Sequence, residues 1–544
     1  MKKVIVYIKT IIDIGLFNVL LVIVYRIYTN TFLVLLSFPK KEFKIKNKIF
    51  IPGYAKIKID ENETKQYLKH GDSILNGKIR YYSYHDIEFE GLPNWFANPF
   101  NDSTIKQKDE HWSRIGDFNY KLGDIKNLWE LSRFNWLGTL ACAYKFSKKD
   151  KYLNHMNILT EDWTRENHPN SGPNWKCGQE ASIRAINIFL ANEIISPNKN
   201  SDDLINLIKV HVDRINPTTF YAKAQNNNHG ISEGVALYVL GYFIWKELRI
   251  KKYFSIHKKG LKLIEDRVNK LILDDGTFAQ YSIVYHRMVI DILSFAELFR
   301  KKWDLDLFSN LFYFKCNLAI EWYSEMIDHE TGNAPNIGGN DGTYLFNYNQ
   351  KDYRDFRPSL SLASSVFNTP IDNIIKSDHC LMTIFSLNSQ LIKKEIKLSK
   401  EYSLGGLKKL VRLRGKAILR IPKYYFRPSQ SDALHLDIWQ DGINWIRDSG
   451  SFSYALIHTE QKNFSGTKGH STIEFDGEDQ MPKISRFLYG NWLNPVKESF
   501  DDKKNIMSAG YKDQRGNSHF RDVKEIDNGW EIIDQVEGPF KSVI

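Results

Sequence analysis

Two short segments gather side chains that can hold an anion and move a proton. Asn226–Asn227–Asn228–His229 puts three amides and an imidazole into four residues, just before the apolar-periodic stretch Ile231–Leu248. Donors at a helix start suit a carboxylate, because the free N–H groups and the helix dipole point at it together. Glu233 follows His229 by one helical turn, a spacing at which a carboxylate can orient an imidazole. The bland alternative for the same residues is a polar loop with a capping asparagine. The second segment, Tyr285–His286–Arg287, comes after the turn signal Asp275–Gly276 and near the start of a further helical pattern. A free phenol titrates near about 10, so a tyrosine here needs cationic neighbours to act as a base. Arg287, His286 or His229 could supply that field. Its alternative is packing in a core or interface.

These segments lie within a long helical stretch. From about Asn94 to Asn368 the apolar residues recur at helical spacing, as in Asp124–Leu137, where Leu128, Leu131, Phe134 and Trp136 fall near one face. Comparable blocks cover Tyr152–Glu166, Glu180–Glu193, Ser232–Leu248, Ile264–Leu273 and Val289–Phe299, joined by Asn-, Gly- or Pro-containing links. Many helices without a fixed short repeat predict a helical barrel or toroid rather than a solenoid. After about Ile375 the period changes to two. Leu434, Leu436 and Ile438 alternate with His435 and Asp437, and Asp441–Gly442 turns the chain into Ile443–Ile446, a hairpin pattern. The alternation sets His435 and Asp437 opposite the apolar side, which predicts a surface or cleft position. Ser471–Phe475, closed by Asp476–Gly477, reads as another strand. Asn336–Thr343 is glycine-rich without a phosphate-loop spacing and reads as a cleft rim.

The division expected is an apolar N-terminal segment over 1–45, a helical domain over 46–375 and a strand domain over 376–544. The strand-like residues at Ile544 raise the expectation that this last domain is incomplete. Residues 11–38 are apolar but interrupted by Asp13, Arg26 and Asn30, and no cleavage site follows. The clean run Ile14–Tyr25 falls short of the roughly 20 residues a span needs, leaving a membrane anchor, an interfacial helix or a docked helix. The net charge of +11 favours an anionic partner. With no zinc-finger, RRM or P-loop pattern, nucleic acid ranks below acidic polysaccharide or an anionic membrane. The aromatic content of 14% suits sugar stacking as well as large cores. Four cysteines without a CxxC pair give neither a disulfide framework nor a thiolate metal site.

Four segments together resemble the heparinase II/III family of polysaccharide lyases. They are Asp124–Leu137 with Asn174–Asn187, Asn226–Gly234, Asp275–Asp291, and Arg427–Gln480 including DALHLDIWQDGINWIRDSGSFSY and GHSTIEFDGEDQ. The resemblance implies an α+β multidomain protein, an N-terminal (α/α) toroid followed by an antiparallel β-sandwich, with a substrate cleft between them. It also implies β-elimination next to a uronic acid, in which the sugar carboxylate is neutralised, the C5 proton removed and the leaving oxygen protonated. On that basis Asn228 and His229 neutralise the carboxylate and Tyr285 transfers the proton, with Tyr281 in reserve. Asn227, Glu233, Tyr281, His286, Arg287 and His435 are expected around the substrate.

One departure bears on metal binding. Where the family commonly carries a His-x-His-Ala-Asp run, this chain has Pro428–Ser429–Gln430–Ser431–Asp432. Asp448 and His470 remain as weak ligand candidates, Gln430 replaces an imidazole poorly, and His435 and His458 are not required by strand alternation to point inward. The expectation is therefore no metal and no other cofactor. The chain reads as a lyase on acidic polysaccharide, at the bacterial cell envelope, periplasmic or membrane-associated. The rival reading is a low-activity glycan-binding or assembly protein of capsule or surface polysaccharide production. A glycoside hydrolase would need two carboxylates across a cleft, and no such pair is evident in the sequence.

Overall fold

The helical periods resolve into two kinds of helix. Gly178–Ile195, Asn228–Leu248 and Ile283–Lys302 are buried along most of their length. Asp150–Glu166, Asp202–Ile215 and Lys251–Leu271 bury one face only. In Lys251–Leu271 the buried Tyr253, Ile256, Leu263, Ile264, Val268 and Leu271 keep helical spacing, while Lys251, Lys252, Lys259, Lys262 and Lys270 face water. Asn228–Leu248 packs on this successor and sideways on Gly178–Ile195 and Ile283–Lys302. Fully buried inner helices thus alternate with amphipathic outer ones, and the pairs form an α/α toroid. This computed structural model describes residues 2–544 apart from 54–56, 58, 102, 117, 120–122, 198, 329, 349–350, 373–378, 389–390, 393–398, 413, 453 and 455–462. His458 lies outside the described residues.

The strand region forms an antiparallel sandwich. One sheet has the spatial order Ile443–Ile446, Leu436–Gln440, Gly415–Arg420, Leu407–Arg412, Lys400–Tyr402, and the other runs Pro495–Asp501, Ile506–Lys512, Ser518–Ile526, Gly529–Glu537. The predicted hairpin is present, with Asp441 and Gly442 both at positive φ, as a tight two-residue turn requires. Leu410, Ala417, Leu419, Leu436 and Ile438 of the first sheet share a core with Met507, Ala509, Tyr511 and Val523 of the second.

The first sheet also meets the toroid. Lys416 Nζ donates to the Met326 carbonyl at 2.8 Å, and Asp275 accepts from the Leu404 and Gly405 amides at 2.9 and 2.6 Å. Two expectations change as a result. His435 is fully buried, because alternation separates two faces and here both are covered. Ser471–Phe475 is not a strand: Phe475 makes only isolated bridges, and Glu474 exchanges backbone bonds with Ile544.

At the N-terminus, Lys2–Ile14 and Leu16–Asn30 are separate helices. The second rests on the toroid through Tyr25, stacked on Tyr221 at 3.8 Å, and the first reaches the sandwich through Lys9 and Asn491 at 3.0 Å.

Candidate active site

Two helix caps aim the chemistry at one place. The Asn227 side chain accepts from the His229 amide at 3.1 Å, which starts Asn228–Leu248 and sets Asn228 and His229 in its first turn. Ser282 accepts from the Tyr285 amide at 3.2 Å and starts the neighbouring Ile283–Lys302 in the same way. Both helix starts open onto a cavity of about 280 Å³ between toroid and sandwich. A third wall is the glycine-rich loop. Gly338 has φ 81°, and a Cβ there would meet the Tyr281 carbonyl at 2.2 Å, so only glycine lets the loop lie against the Ser282 cap. That approach brings Asp341 to Tyr285. From the sandwich come Arg427, Gln430, Tyr454, Phe464 and Arg486, and from the first toroid helices Lys126, Arg133 and Glu180.

Ion pairs hold most of the charge in place. Arg133 grips Glu180 through two bonds of 2.7 and 2.8 Å and Glu130 through a third of 2.7 Å. Lys126 pairs with Asp341 and also lies over the Tyr454 ring. Burial would raise the Asp341 carboxyl, but the Lys126 and Arg133 charges outweigh it and hold the group well below the usual carboxylate range. The Tyr285 hydroxyl lies 3.2 Å from Asp341 and 3.0 Å from the Tyr454 hydroxyl. Burial, then the Asp341 charge, push it well above an ordinary phenol, so it is a firmly protonated donor. His229 goes the other way: burial, with Arg427 and Lys126 assisting against Glu180, brings it down to about 4. It is therefore a neutral imidazole at pH 7. Arg427 makes no hydrogen bond or ion pair among the described residues, so a cation faces the cavity uncommitted.

Asn227, Asn228, His229 and Tyr285 thus share one cavity, although Asn227 uses its side-chain oxygen as the cap and Asn228 Nδ2 contacts Met288 Sδ at 3.2 Å. Five other candidates lie elsewhere. Glu233 makes no hydrogen bond to His229; it is buried against Gly178, and burial raises its carboxyl to about 8. Tyr281 spends its hydroxyl on the Tyr425 amide at 2.8 Å, fastening sandwich to toroid. His286 bonds the Ala319 carbonyl at 2.8 Å and stacks on Trp322, and Arg287 holds the Tyr353 and Thr343 carbonyls at 2.7 and 3.0 Å. Both point into the toroid because successive helical residues diverge by about 100°, so neither supplies a field to Tyr285. His435 is away from the cavity.

His435 joins a different cluster. His435, Asp448 and His470 are all buried, with ligand atoms within 4.8 Å of one another. His470 Nδ1 lies 3.0 Å from Asp448, while Nε2 of each histidine lacks a hydrogen-bond partner. Two imidazoles and a carboxylate with orphaned buried nitrogens fit a zinc ion. His435 supplies an imidazole that the Pro428–Asp432 run does not, so the reason for expecting no metal is removed.

Lys126, Asp341, Tyr454 and Arg427 were not singled out from sequence. The carboxylate of Asp341 within the glycine-rich rim is the available sign.

The molecule is thus an α/α toroid joined to a β-sandwich, with a cationic, tyrosine-bearing cavity at the junction. The family model for the heparinase II/III N-terminus matches residues 57–322, and that for the heparinase II/III-like C-terminal region matches 411–542. The chain belongs to the heparinase II/III-like family. Its fold is similar to that of heparinase III (TM-score 0.54, 14% identity, covering 94% of this chain and 74% of that one). It is also similar to the heparinase III BT4657 gene product (0.51, 16%, 91% and 73%) and to a mutant of heparan sulfate lyase HepC from Pedobacter heparinus (0.50, 18%, 88% and 69%). No curated protein matches the sequence.

Proposed function

We propose that this chain is a lyase that cleaves a uronic-acid-containing acidic polysaccharide by β-elimination. The observation that carries the reading is the uncommitted Arg427 in the cavity that also holds a protonated Tyr285 and a neutral His229. Arg427 and the Asn228 amide receive the uronate carboxylate, which lowers the cost of charge developing at C5. His229 accepts the C5 proton. The C–H electrons form the C4–C5 double bond, the C4–O bond breaks, and Tyr285 protonates the departing oxygen. Tyr454 and Asp341 keep the Tyr285 hydroxyl aimed while Lys126 holds Asp341 anionic. Phe464 in the wall, stacked on the exposed Phe452 at 5.3 Å, provides an aromatic face for a sugar ring. The structural neighbours include a heparan sulfate lyase, which supports an acidic glycan. The location proposed with it is the bacterial cell envelope, periplasmic or membrane-associated, and the apolar N-terminal helices are what motivates it.

The test is incubation with a panel of acidic polysaccharides, following ultraviolet absorbance. Elimination yields a conjugated unsaturated uronate. New reducing ends without absorbance would indicate a hydrolase, and retention without cleavage would indicate the glycan-binding alternative.

A further inference from the structure

We propose that the N-terminal helix pair is an interfacial membrane anchor that lies on, and does not cross, an anionic bilayer. The two helices, Lys2–Ile14 and Leu16–Asn30, meet at a bend of 98° at Gly15, whose φ is 94°. The Asn18 side chain donates to the Ile14 carbonyl at 2.8 Å, satisfying a group that the break frees. Among the described residues no single helix is long and apolar enough to cross a membrane, and the pair, which together has the length and composition, is broken by the 98° bend. At about 1.5 Å per residue, the longer helix reaches roughly 22 Å against a hydrocarbon thickness of about 30 Å.

What these helices do present is an outward apolar face. Val4, Ile8, Ile11 and Ile12 on the first, and Leu16, Phe17, Leu20, Ile23, Val24 and Ile27 on the second, are 37–68% exposed. Phe32, Leu33 and Leu36 extend the face, at 67, 48 and 70%. Of their polar neighbours, Thr10 is buried beside Gly490 and Tyr25 stacks on Tyr221, while Lys9, which bonds Asn491, and Arg26 are exposed cations. Such a face is larger than a soluble monomer ordinarily leaves in water, and the helices match the interfacial pattern of one apolar and one polar side.

Charge selects the occupant. The face leads directly into Pro39–Lys48, with exposed Lys40, Lys41, Lys44, Lys46 and Lys48 against the single acid Glu42. A basic run beside an exposed apolar face complements anionic headgroups. It would oppose a second copy of itself.

The experiment is co-sedimentation of the full chain with phosphatidylglycerol-rich vesicles and with phosphatidylcholine vesicles, beside the exposed-face variant Phe17→Glu/Leu20→Glu/Ile27→Glu. Thermal melts and the single Phe17→Glu variant check that folding is retained. Expected are binding of the natural chain, at least tenfold weaker capture on the zwitterionic vesicles, and loss of binding in the triple variant with an unchanged melt. A cysteine replacing Lys9, on the side of the first helix that meets Asn491, should react with an impermeant maleimide added outside and not with one enclosed in the vesicles. The proposal is overturned by a natural chain left in the supernatant, by a triple variant that still binds, by labelling from the lumen, or by a stable dimer that ignores vesicles.

Discussion

The cavity at the domain junction and the buried cluster within the sandwich both gather ionisable groups, yet they handle them in opposite ways. In the cavity, Glu180 and Asp341 are answered by Arg133 and Lys126, and Arg427, without a bonded partner among the described residues, faces open space. In the sandwich, His435 and His470 retain orphan nitrogens in a place that no polysaccharide enters. The first pattern leaves charge for a large anionic guest and the second leaves lone pairs for a small cation. Reaction chemistry is therefore expected from one region and cohesion from the other.

The most direct way to break this division is Tyr285→Phe. Removing the proton donor should lower kcat by about 10²- to 10⁴-fold, while the melting temperature and glycan retention stay near those of the natural chain. Undiminished turnover would take Tyr285 out of the reaction. Arg427→Gln should lower kcat/KM by about ten- to a hundredfold, since a charge-assisted contact contributes about 1.5–3 kcal/mol. The loss should be steepest at low salt, where screening is weakest. Unchanged kinetics of Arg427→Gln on the uronate-containing glycan at low salt would contradict the assignment.

For the sandwich, elemental analysis should return one zinc per chain, and chelation should lower the melting temperature by about ten degrees while leaving residual activity at assay temperature. His435→Ala should abolish that response to chelator. Absence of zinc from protein grown in zinc-supplemented medium would assign the orphan nitrogens to ordered water.

The smallest effect concerns Glu233. Its folded-state carboxyl titrates near about 8, above the ordinary 4.5, because burial disfavours the charged form. The folded state holds this proton more tightly than the unfolded chain. The resulting stability is fully present below about 4.5 and is lost as pH rises through about 8. Glu233→Gln should thus raise the melting temperature by a few degrees at pH 8.5 and by almost nothing at pH 4.5. A gain of equal size at both pH values would point to packing instead.

Caps and periodicity carried much of this into the sequence. Ser232–Leu248 reads as a helix because its apolar residues are dense, and the true start is four residues earlier at Asn228, where the Asn227 cap acts. Ile264–Leu273 reveals only the end of Lys251–Leu271, since lysine dominates the outward face of its first half. Asn228, His229 and Tyr285 are legible because helix starts expose side chains. Which of Tyr285, His286 and Arg287 faces the cavity is not, because it depends on helix rotation against distant partners. Arg427 and Asp341 reach the cavity from the sandwich and a loop, and His435 is covered by segments more than ten residues away, so neither local period nor motif spacing encodes them.

Gly339 adds an evolutionary consequence. A methyl placed there would stand 3.0 Å from the Tyr454 hydroxyl and 3.2 Å from the Tyr285 ring. The backbone at this position does not demand glycine, so alanine could be built without unfolding the loop, at the expense of the tyrosine pair's alignment. On the proposed reaction, catalysis and architecture are therefore separable by a single carbon atom. A lineage that no longer needed such a cleavage could shed it in one mutational step and keep the cavity and its cation, becoming a lectin on an enzyme's frame.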